Sequence, residues 1–319
     1  MKVLIVANYN TGSFSPFVIE QVEAIKKLNV EFDFFGVEGK GIKGYLSNLG
    51  KLKKKINTFK PDIIHAHYGL SGLLANLQRK VPVITTFHGS DINKGGIISF
   101  FSRISIRMSK HNIFVSPLLL KKSAYHGKNV SVIPCGIDVS LFQPSDKKVA
   151  REALGWDEDS KYVLFSGSFD NAVKNPELAK AGIEALRHHY TQYSDNLHFV
   201  ELKGYTRQQI ATLLNAADCT LMTSYTEGSP QIIKEAIACG CPTVSVEVGD
   251  VANTTKGVEG CYIVQRTADD IASGISRVLD SNKRVNGLGR LLELELSNEQ
   301  IAKRIVEIYH KTQKRVFVK

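Results

Sequence analysis

Residues 219–246 read CTLMTSYTEGSPQIIKEAIACGCPTVSV and contain a whole strand–helix–strand unit. Cys219–Met222 is a short apolar run with the length of a buried strand. Pro230 suits the first position of a helix with Ser229 as its cap, and the helix runs to Ala238. Gly240 and Pro242 punctuate its end, and Thr243–Val246 is a second buried strand. A crossover of this length between two strands buried on both faces implies that they pair in parallel. The same alternation extends in both directions. Upstream it runs through Val3–Ala7, Phe14–Leu28, Phe32–Phe35, Ile42–Phe59, Ile63–His67, Leu70–Gln78, Val83–Phe87, Ile97–Met108, Asn112–Val115, Leu118–Tyr125 and Val130–Pro134. Nearer the starting stretch lie Tyr162–Phe165, Pro176–His188, Leu197–Leu202 and Gln208–Ala216, and beyond it Tyr262–Val264 and Asp269–Leu279. The expected fold class is α/β, two doubly wound Rossmann-like domains expected to face across a cleft.

The 319 residues suit two domains. The alternation breaks at Pro134-Cys135-Gly136-Ile137-Asp138, followed by Pro144 and a polar Ser-Asp-Lys-Lys, which reads as the linker. The expected division is 1–140, 141–296 and a terminal helix over 297–319. Ser297-Asn-Glu-Gln300 matches a capping box, and Ile301, Ile305 and Ile308 give that helix one apolar face, expected to cross back to the first domain. Hydrophobic residues at 43% and charged residues at 23% are ordinary for a globular chain. No run approaches the ~18 apolar residues of a membrane span, and the opening MKVLIVANYN is too short for a signal core. A cytoplasmic protein is expected. The five cysteines show no C-x-x-C pair, so buried free thiols are expected. Asp157-Glu158-Asp159 reads as a solvated turn, and no metal site is expected.

The net charge of +10 is unevenly spread. Residues 1–140 carry 19 Lys+Arg against 8 Asp+Glu, whereas residues 141–319 carry 22 against 23. Such asymmetry suggests an anionic partner for the first half and none for the second.

The loop after the first strand, Asn8 to Ser13, lacks G-x-G-x-x-G. There is also no G-x-x-x-x-G-K-[ST] and no G-x-S-x-G. Nicotinamide dehydrogenases, P-loop NTPases and α/β-hydrolases are therefore disfavoured. In open parallel sheets ligands bind beyond the carboxyl ends of the strands. There the N–H groups of Gly228, Ser229 and Gln231, at the positive end of the helix dipole, suit a diphosphate or sugar oxygens. On spacing alone, Glu227 is a surface residue and Glu235 an ordinary helical one beside Lys234.

The pattern Glu227-x7-Glu235 followed by Ala-x-x-Cys-Gly-x-Pro242 resembles the E-x7-E signature of the family 4 (group 1) retaining glycosyltransferases of GT-B fold. VIPCGIDVSLFQP (132–144) resembles that family's interdomain segment. LLNAADCTLMTS (213–224) resembles its lead-in to the signature, and VGDV (248–251) the loop after it. HAHYG (65–69) and FHGSD (87–91) fall where the amino-terminal domain of such enzymes carries histidine loops. The resemblance covers most of the chain and is specific from 213 to 251.

It implies that Glu235 holds the ribose hydroxyls of a nucleotide-sugar. Glu227, with Gly228 and Ser229, would contact the donor sugar, and Lys174 would neutralise the departing diphosphate. His88 would touch the sugar from the first domain, or else serve as a strand-end residue capping backbone. Pro230, Gln231, Gly167 and Ser168 fall on the donor side, and Gly12, Ser13 and His67 on the acceptor side. His65 and His67 alternate along a strand and could suggest a metal pair, although a structural role suits at least one. The family's clamp arginine stands six residues before the lysine, where this chain has Ser168. Its Gly-Gly turn after the first strand is reduced to Gly12, and one strand–helix unit is missing between Leu197–Gly204 and Gln208–Ala216.

Between Glu38 and Asp62 stand seven lysines and no acid, with Ile42, Tyr45, Leu46, Leu49, Leu52, Ile56 and Phe59 at helical spacing. An ordinary sheet-covering helix accounts for the apolar face, while its lysines (40–60) could meet an anionic membrane surface. Nucleic acid is not expected. The implied activity is transfer of a hexose, with retention, from a UDP- or GDP-linked donor to a glycan or lipid-linked acceptor, without a cofactor. Such an enzyme would work at the inner face of the membrane in making cell-surface polysaccharide. A non-catalytic nucleotide-binding subunit, a nucleotide-sugar 2-epimerase or a phosphorylase remains open.

Overall fold

A computed structural model describes residues 1–93 and 95–317. The chain forms two compact units, Met1–Gly136 with Asn298–Lys319, and Ile137–Ser297. The first contains β1 (Lys2–Asn8), α1 (Pro16–Lys26), β2 (Glu31–Val37), α2 (Gly41–Leu46), α3 (Leu49–Phe59), β3 (Ile63–His67), α4 (Gly69–Asn76), β4 (Val83–Phe87), α5 (Ser90–Asn93), α6 (Gly96–Met108), β5 (His111–Phe114), α7 (Pro117–Ser123) and β6 (Val130–Val132). The second contains α8 (Lys147–Leu154), β7 (Lys161–Phe165), α9 (Pro176–His189), β8 (Leu197–Glu201), α10 (Arg207–Ala216), β9 (Cys219–Met222), α11 (Gln231–Ala238), β10 (Thr243–Val246), α12 (Val251–Thr255), β11 (Cys261–Val264), α13 (Ala268–Ser281) and α14 (Leu288–Glu293). The last helix, α15 (Asn298–Phe317), belongs to the first unit.

Both sheets are parallel. The first has the order β2-β1-β3-β4-β5-β6 and the second β11-β10-β9-β7-β8. Strands such as β1 and β9 are apolar on both faces because helices cover both. In the first unit one face of the sheet packs on α1 and α15 through Val18, Val22, Ile25, Ile301, Ile305 and Ile308. The other face packs on α2, α3 and α4 through Tyr45, Leu52, Ile56 and Leu74. The apolar stripe of the terminal helix thus completes the first unit's core.

Three local expectations are corrected. Ile42–Phe59 is two helices. Gly44 lies against the backbone of Gly39, leaving no room for a side chain, and buried Asn48 donates to the carbonyls of Glu38 and Gly44 at 2.8 and 2.7 Å, which fixes the break. The polar Ser-Asp-Lys-Lys segment is no linker but the start of α8. Asp146 Oδ1 accepts from the N–H groups of Lys148 and Val149, and buried Arg151 pairs with Asp218 at 2.8 Å. Pro230 stands just before α11 rather than at its first position, and Ser229 does not cap that helix. Between β8 and α10 the chain passes directly, with no further strand or helix, as the short spacing implies.

Asp157 accepts from the Ser160 N–H and hydroxyl at 2.8 and 2.6 Å, which closes the acidic turn on itself. All five thiols are free, and burial pushes those of Cys219, Cys239, Cys241 and Cys261 up.

Candidate functional site

In the second unit the winding reverses between β7 and β9, because β8 lies outside β7. The loops after β7 and β9 therefore part at the carboxyl edge of the sheet, where a parallel sheet opens its ligand crevice. These loops are tied together. Tyr225 N–H donates to the Val173 carbonyl at 3.0 Å, and Thr223 Oγ1 donates to the carbonyls of Lys174 and Asn175, both at 2.9 Å. Gly167 lies beneath the stem of Lys174, where an added Cβ would come within 2.6 Å of Lys174 Cγ. The lysine is thereby directed to Glu227, with Nζ 2.7 Å from Oε1. Two residues 53 apart in sequence become one half-buried ion pair at the switch point.

Glu235, one turn into α11, is 1% exposed, and its Oε1 accepts from Arg207 Nη2 at 2.6 Å. The guanidinium lies over the Phe142 ring, 4.7 Å from its centroid. This pairing holds the carboxylate in one orientation and offsets part of the cost of burying it. Ser229 is held differently from the expected cap. Its hydroxyl donates to Asp250 Oδ2 at 2.6 Å and accepts from Lys234 Nζ at 2.5 Å, and Lys234 has no exposed surface at all. Gly249, at φ +60°, brings the 248–251 loop onto Gly228, whose carbonyl would lie 2.9 Å from any Cβ there. Gly228 and Pro230 thus sit in a loop clamped from below by Lys234 and Asp250, and Gln231 opens the helix. Ser168 bonds through its hydroxyl to Asp170, which also receives Lys203 at 2.7 Å. The position of the family's arginine holds a hydroxyl already engaged by an acid.

The first unit has its own crevice. A cavity of about 530 Å³ lies at the carboxyl ends of β1, β3 and β4, with Thr11, Ser13, Tyr45, Tyr68 and Asp91 among its walls. Gly12 makes the turn, at φ +73° with its N–H on the Tyr9 carbonyl, that turns Thr11 and Ser13 toward it. Asp91 accepts from the N–H groups of Gly89, Gly69 and His88 at 2.9, 3.2 and 3.4 Å, so it fastens the loop after β4 to the start of α4. Burial nevertheless raises its carboxyl to about 6, the backbone bonds pulling the other way.

Beside Tyr68 of the cavity wall, whose ring is 4.7 Å from that of His88, lies a stack of three histidines. The rings of His65 and His67 are 4.6 Å apart, and those of His67 and His88 5.3 Å. His65 uses both nitrogens, Nδ1 with the Tyr309 hydroxyl and Nε2 with Thr86 Oγ1, each at 2.7 Å. Its role is therefore structural. His67 Nδ1 meets His88 Nε2 at 3.0 Å, and His88 Nδ1 lies 3.8 Å from Cys135 Sγ. His67 is wholly buried, and the cavity walls include neither it nor His88. Burial brings His67 down to about 3 and holds His65 and His88 well below the ordinary imidazole range. Neutral rings orient one another by hydrogen bonding. Both ring nitrogens of His88 are engaged, its backbone N–H is on Asp91, and its ring lies 4.6 Å from that of Phe17 and 4.7 Å from that of Tyr68.

Two such units, each gathering its loops at a switch point, place the protein in the GT-B class of α/β transferases. Residues 18–141 match the family described as Glycosyltransferase Family 4, and residues 160–281 match Glycosyl transferases group 1, so the chain belongs to the family 4 (group 1) glycosyltransferases. Among its relatives is a Bacillus subtilis (strain 168) glycosyltransferase named for teichuronic acid biosynthesis, TuaC, 27% identical over 68% of this chain and 61% of that one. Another is the D-inositol 3-phosphate glycosyltransferase of Mycobacterium marinum, 25% identical over 71% and 57%. The chain spans about three fifths of the length of these curated relatives. Its fold is shared with sucrose-phosphate synthase of Thermosynechococcus elongatus, at TM-score 0.82 and 20% identity over 98% of both chains. Anabaena HepE, solved with UDP, matches at 0.73 and 15% over 98% of this chain and all of that one.

Within the second unit the structure brings together Lys174, Glu227 and Gly167, and it adds Arg207, Lys234 and Asp250, which sequence reasoning missed. Asp250 could have been found in the VGDV loop. Nothing in the spacing of Lys234 or Arg207 tells a buried, paired cation from a surface one. In the first unit it joins His67 to His88 and adds Asp91 and Tyr68. Tyr68 adopts φ +72°, a left-handed backbone that a bulky residue rarely takes and that sequence does not signal.

Proposed function

We propose that the protein transfers a hexose from a nucleoside-diphosphate sugar, UDP- or GDP-linked, to a hydroxyl of a glycan or lipid-linked acceptor, with retention of configuration. The Lys174–Glu227 pair at the switch point of the second unit carries this reading. Lys174 would take up the negative charge that develops on the leaving diphosphate, exchanging a carboxylate partner for a phosphate. Glu227, released from it, and the backbone at Gly228 and Ser229 would hold the donor sugar. Glu235, oriented by Arg207, would accept from the two ribose hydroxyls. The acceptor would enter the first unit's cavity past Ser13, with Tyr68 and Asp91 in its wall. As the anomeric carbon–oxygen bond to phosphate breaks, the acceptor oxygen would bond from the same face and its proton would pass to the departing phosphate oxygen. Chain residues then act by positioning and by charge stabilisation, with no cofactor. The TuaC relative and the basic first unit support a cytoplasmic enzyme acting on a surface polysaccharide at the inner face of the membrane.

The engagement of Ser168 by Asp170 favours a second reading, a nucleotide-binding subunit whose phosphate clamp is too weak for turnover. A thermal-shift panel of UDP, GDP, ADP and CMP on wild type and Glu235→Ala tests both. One nucleoside diphosphate at a hundred times its dissociation constant should add about 2.7 kcal/mol, and the variant should lose that gain. A shift retained by Glu235→Ala would overturn the assigned site. A shift without sugar transfer to any of a panel of acceptors would favour the subunit.

A further inference from the structure

Helix α6 is built inside out. Its buried face is Ser99, Ser102 and Ser105 with Ile106, packed so closely on α4 that a Cβ on Gly69 or Gly72 would overlap Ser102 Oγ or Ser105 Oγ. Its outer face carries Ile97 and Phe100, one turn apart and 66% and 60% exposed. An exposed Ile–Phe pair on a helix whose serines point inward is the reverse of a soluble helix, and such patches mark interaction sites. Cations surround it. Arg103 and Arg107 follow on α6, Arg103 donates to the Lys122 carbonyl at 3.4 Å, and Lys121 and Lys122 are exposed on α7 one turn beyond exposed Leu118. From residue 92 to 137 the sequence has seven Lys+Arg and no Asp or Glu. The first unit as a whole has 25 Lys+Arg against 9 Asp+Glu, and the second 16 against 22.

We infer that the α6–α7 face docks on an anionic lipid bilayer, with Ile97 and Phe100 entering the acyl boundary and Arg103, Lys121 and Lys122 meeting lipid phosphates. A second copy of the chain would bring the same cations against one another, and an ordinary protein surface would not call for a wholly acid-free one. A bilayer matches both the apolar pair and the charge. Helix α3 fits this role less well. Its Leu52 and Ile56 are spent in the core, Lys55 is paired with Asp33 at 2.5 Å, and Leu46, just before it in the chain, is 38% exposed against 66% for Ile97.

The full chain is to be sedimented with vesicles of phosphatidylcholine alone or mixed with phosphatidylglycerol. Binding is expected only with the anionic lipid, weakening as salt is raised. Ile97→Asp with Phe100→Asp should cut partitioning about tenfold or more, and each of Arg103→Gln, Lys121→Gln and Lys122→Gln about fivefold. Because these side chains are exposed, melting temperature should stay put. Phe100→Trp should add blue-shifted emission on anionic vesicles. Equal binding to neutral vesicles, or full binding by the double aspartate variant, would overturn the assignment. So would binding lost only when Lys51, Lys53, Lys54 and Lys55 are neutralised, or a wild-type dimer in solution that Phe100→Asp dissociates. The assay is independent of the nucleotide shift, so the transferase reading survives its failure.

Discussion

At the scale of single residues, the proposed donor site depends on where a side chain is missing. Gly167 is needed because the stem of Lys174 passes over it on the way to Glu227. Gly167→Ala puts a methyl group within 2.6 Å of Lys174 Cγ, and the flexible lysine is the part that yields. Turnover is expected to fall at least tenfold, about 1.4 kcal/mol of transition-state stabilisation, while melting temperature changes little. Steady-state kinetics beside calorimetry will check it. Unchanged kinetics would mean that the ion pair is not part of the working site. Glu227 and Glu235 were legible here because a family signature marks them. Arg207 and Lys234 were not, since burial of a cation depends on the partner that tertiary structure brings to it.

At the scale of elements, the strands were the most legible part. A run buried on both faces needs only apolar residues and a boundary, as in Val3–Ala7 and Cys219–Met222. Helix breaks were less so. The division at Asn48 is made by hydrogen bonds to Glu38 and Gly44, one of them from outside the helix, and α8 begins with the same polar letters as a linker. What tells α8 from a loop is Arg151 reaching Asp218, 67 residues away. The terminal helix shows how much one element can carry. Ile301, Ile305, Ile308 and Tyr309 fill one side of the first unit's sheet, and the Tyr309 hydroxyl occupies His65. Truncation after Leu296 should therefore leave the first unit unfolded. Tyr309→Phe, which keeps the packing and strands one buried ring nitrogen, should cost about 1–3 kcal/mol in urea unfolding. A truncated chain with native near-ultraviolet dichroism would refute this view of α15.

At the scale of the whole molecule, the neutral histidine stack makes one unit sensitive to acid. An unfolded histidine takes a proton near 6.5, whereas His67 refuses it to about 3, and His65 and His88 shift in the same direction. Between these limits the unfolded chain binds more protons, so stability is full above the unfolded value and is lost as pH falls. Asp91 acts oppositely. Raised to about 6 from 3.8, it lets the folded chain hold a proton that the unfolded chain lacks, so stability returns as pH falls through 6. Near pH 5 the proton that His67 withholds and the one that Asp91 gains nearly cancel, so the net loss of stability as pH falls comes from His65 and His88. Asp91→Asn removes the opposing proton, and the loss should steepen by about 1.4 kcal/mol per pH unit. Urea unfolding of both proteins through this range measures the two slopes. Parallel slopes would mean that Asp91 is ionised throughout and that the loop joining His88 to α4 is wetter than its burial implies. A steeper slope in the variant would show that a carboxyl in the wall of the first unit's cavity changes charge near pH 6, so that binding of the proposed acceptor there should change with pH as well.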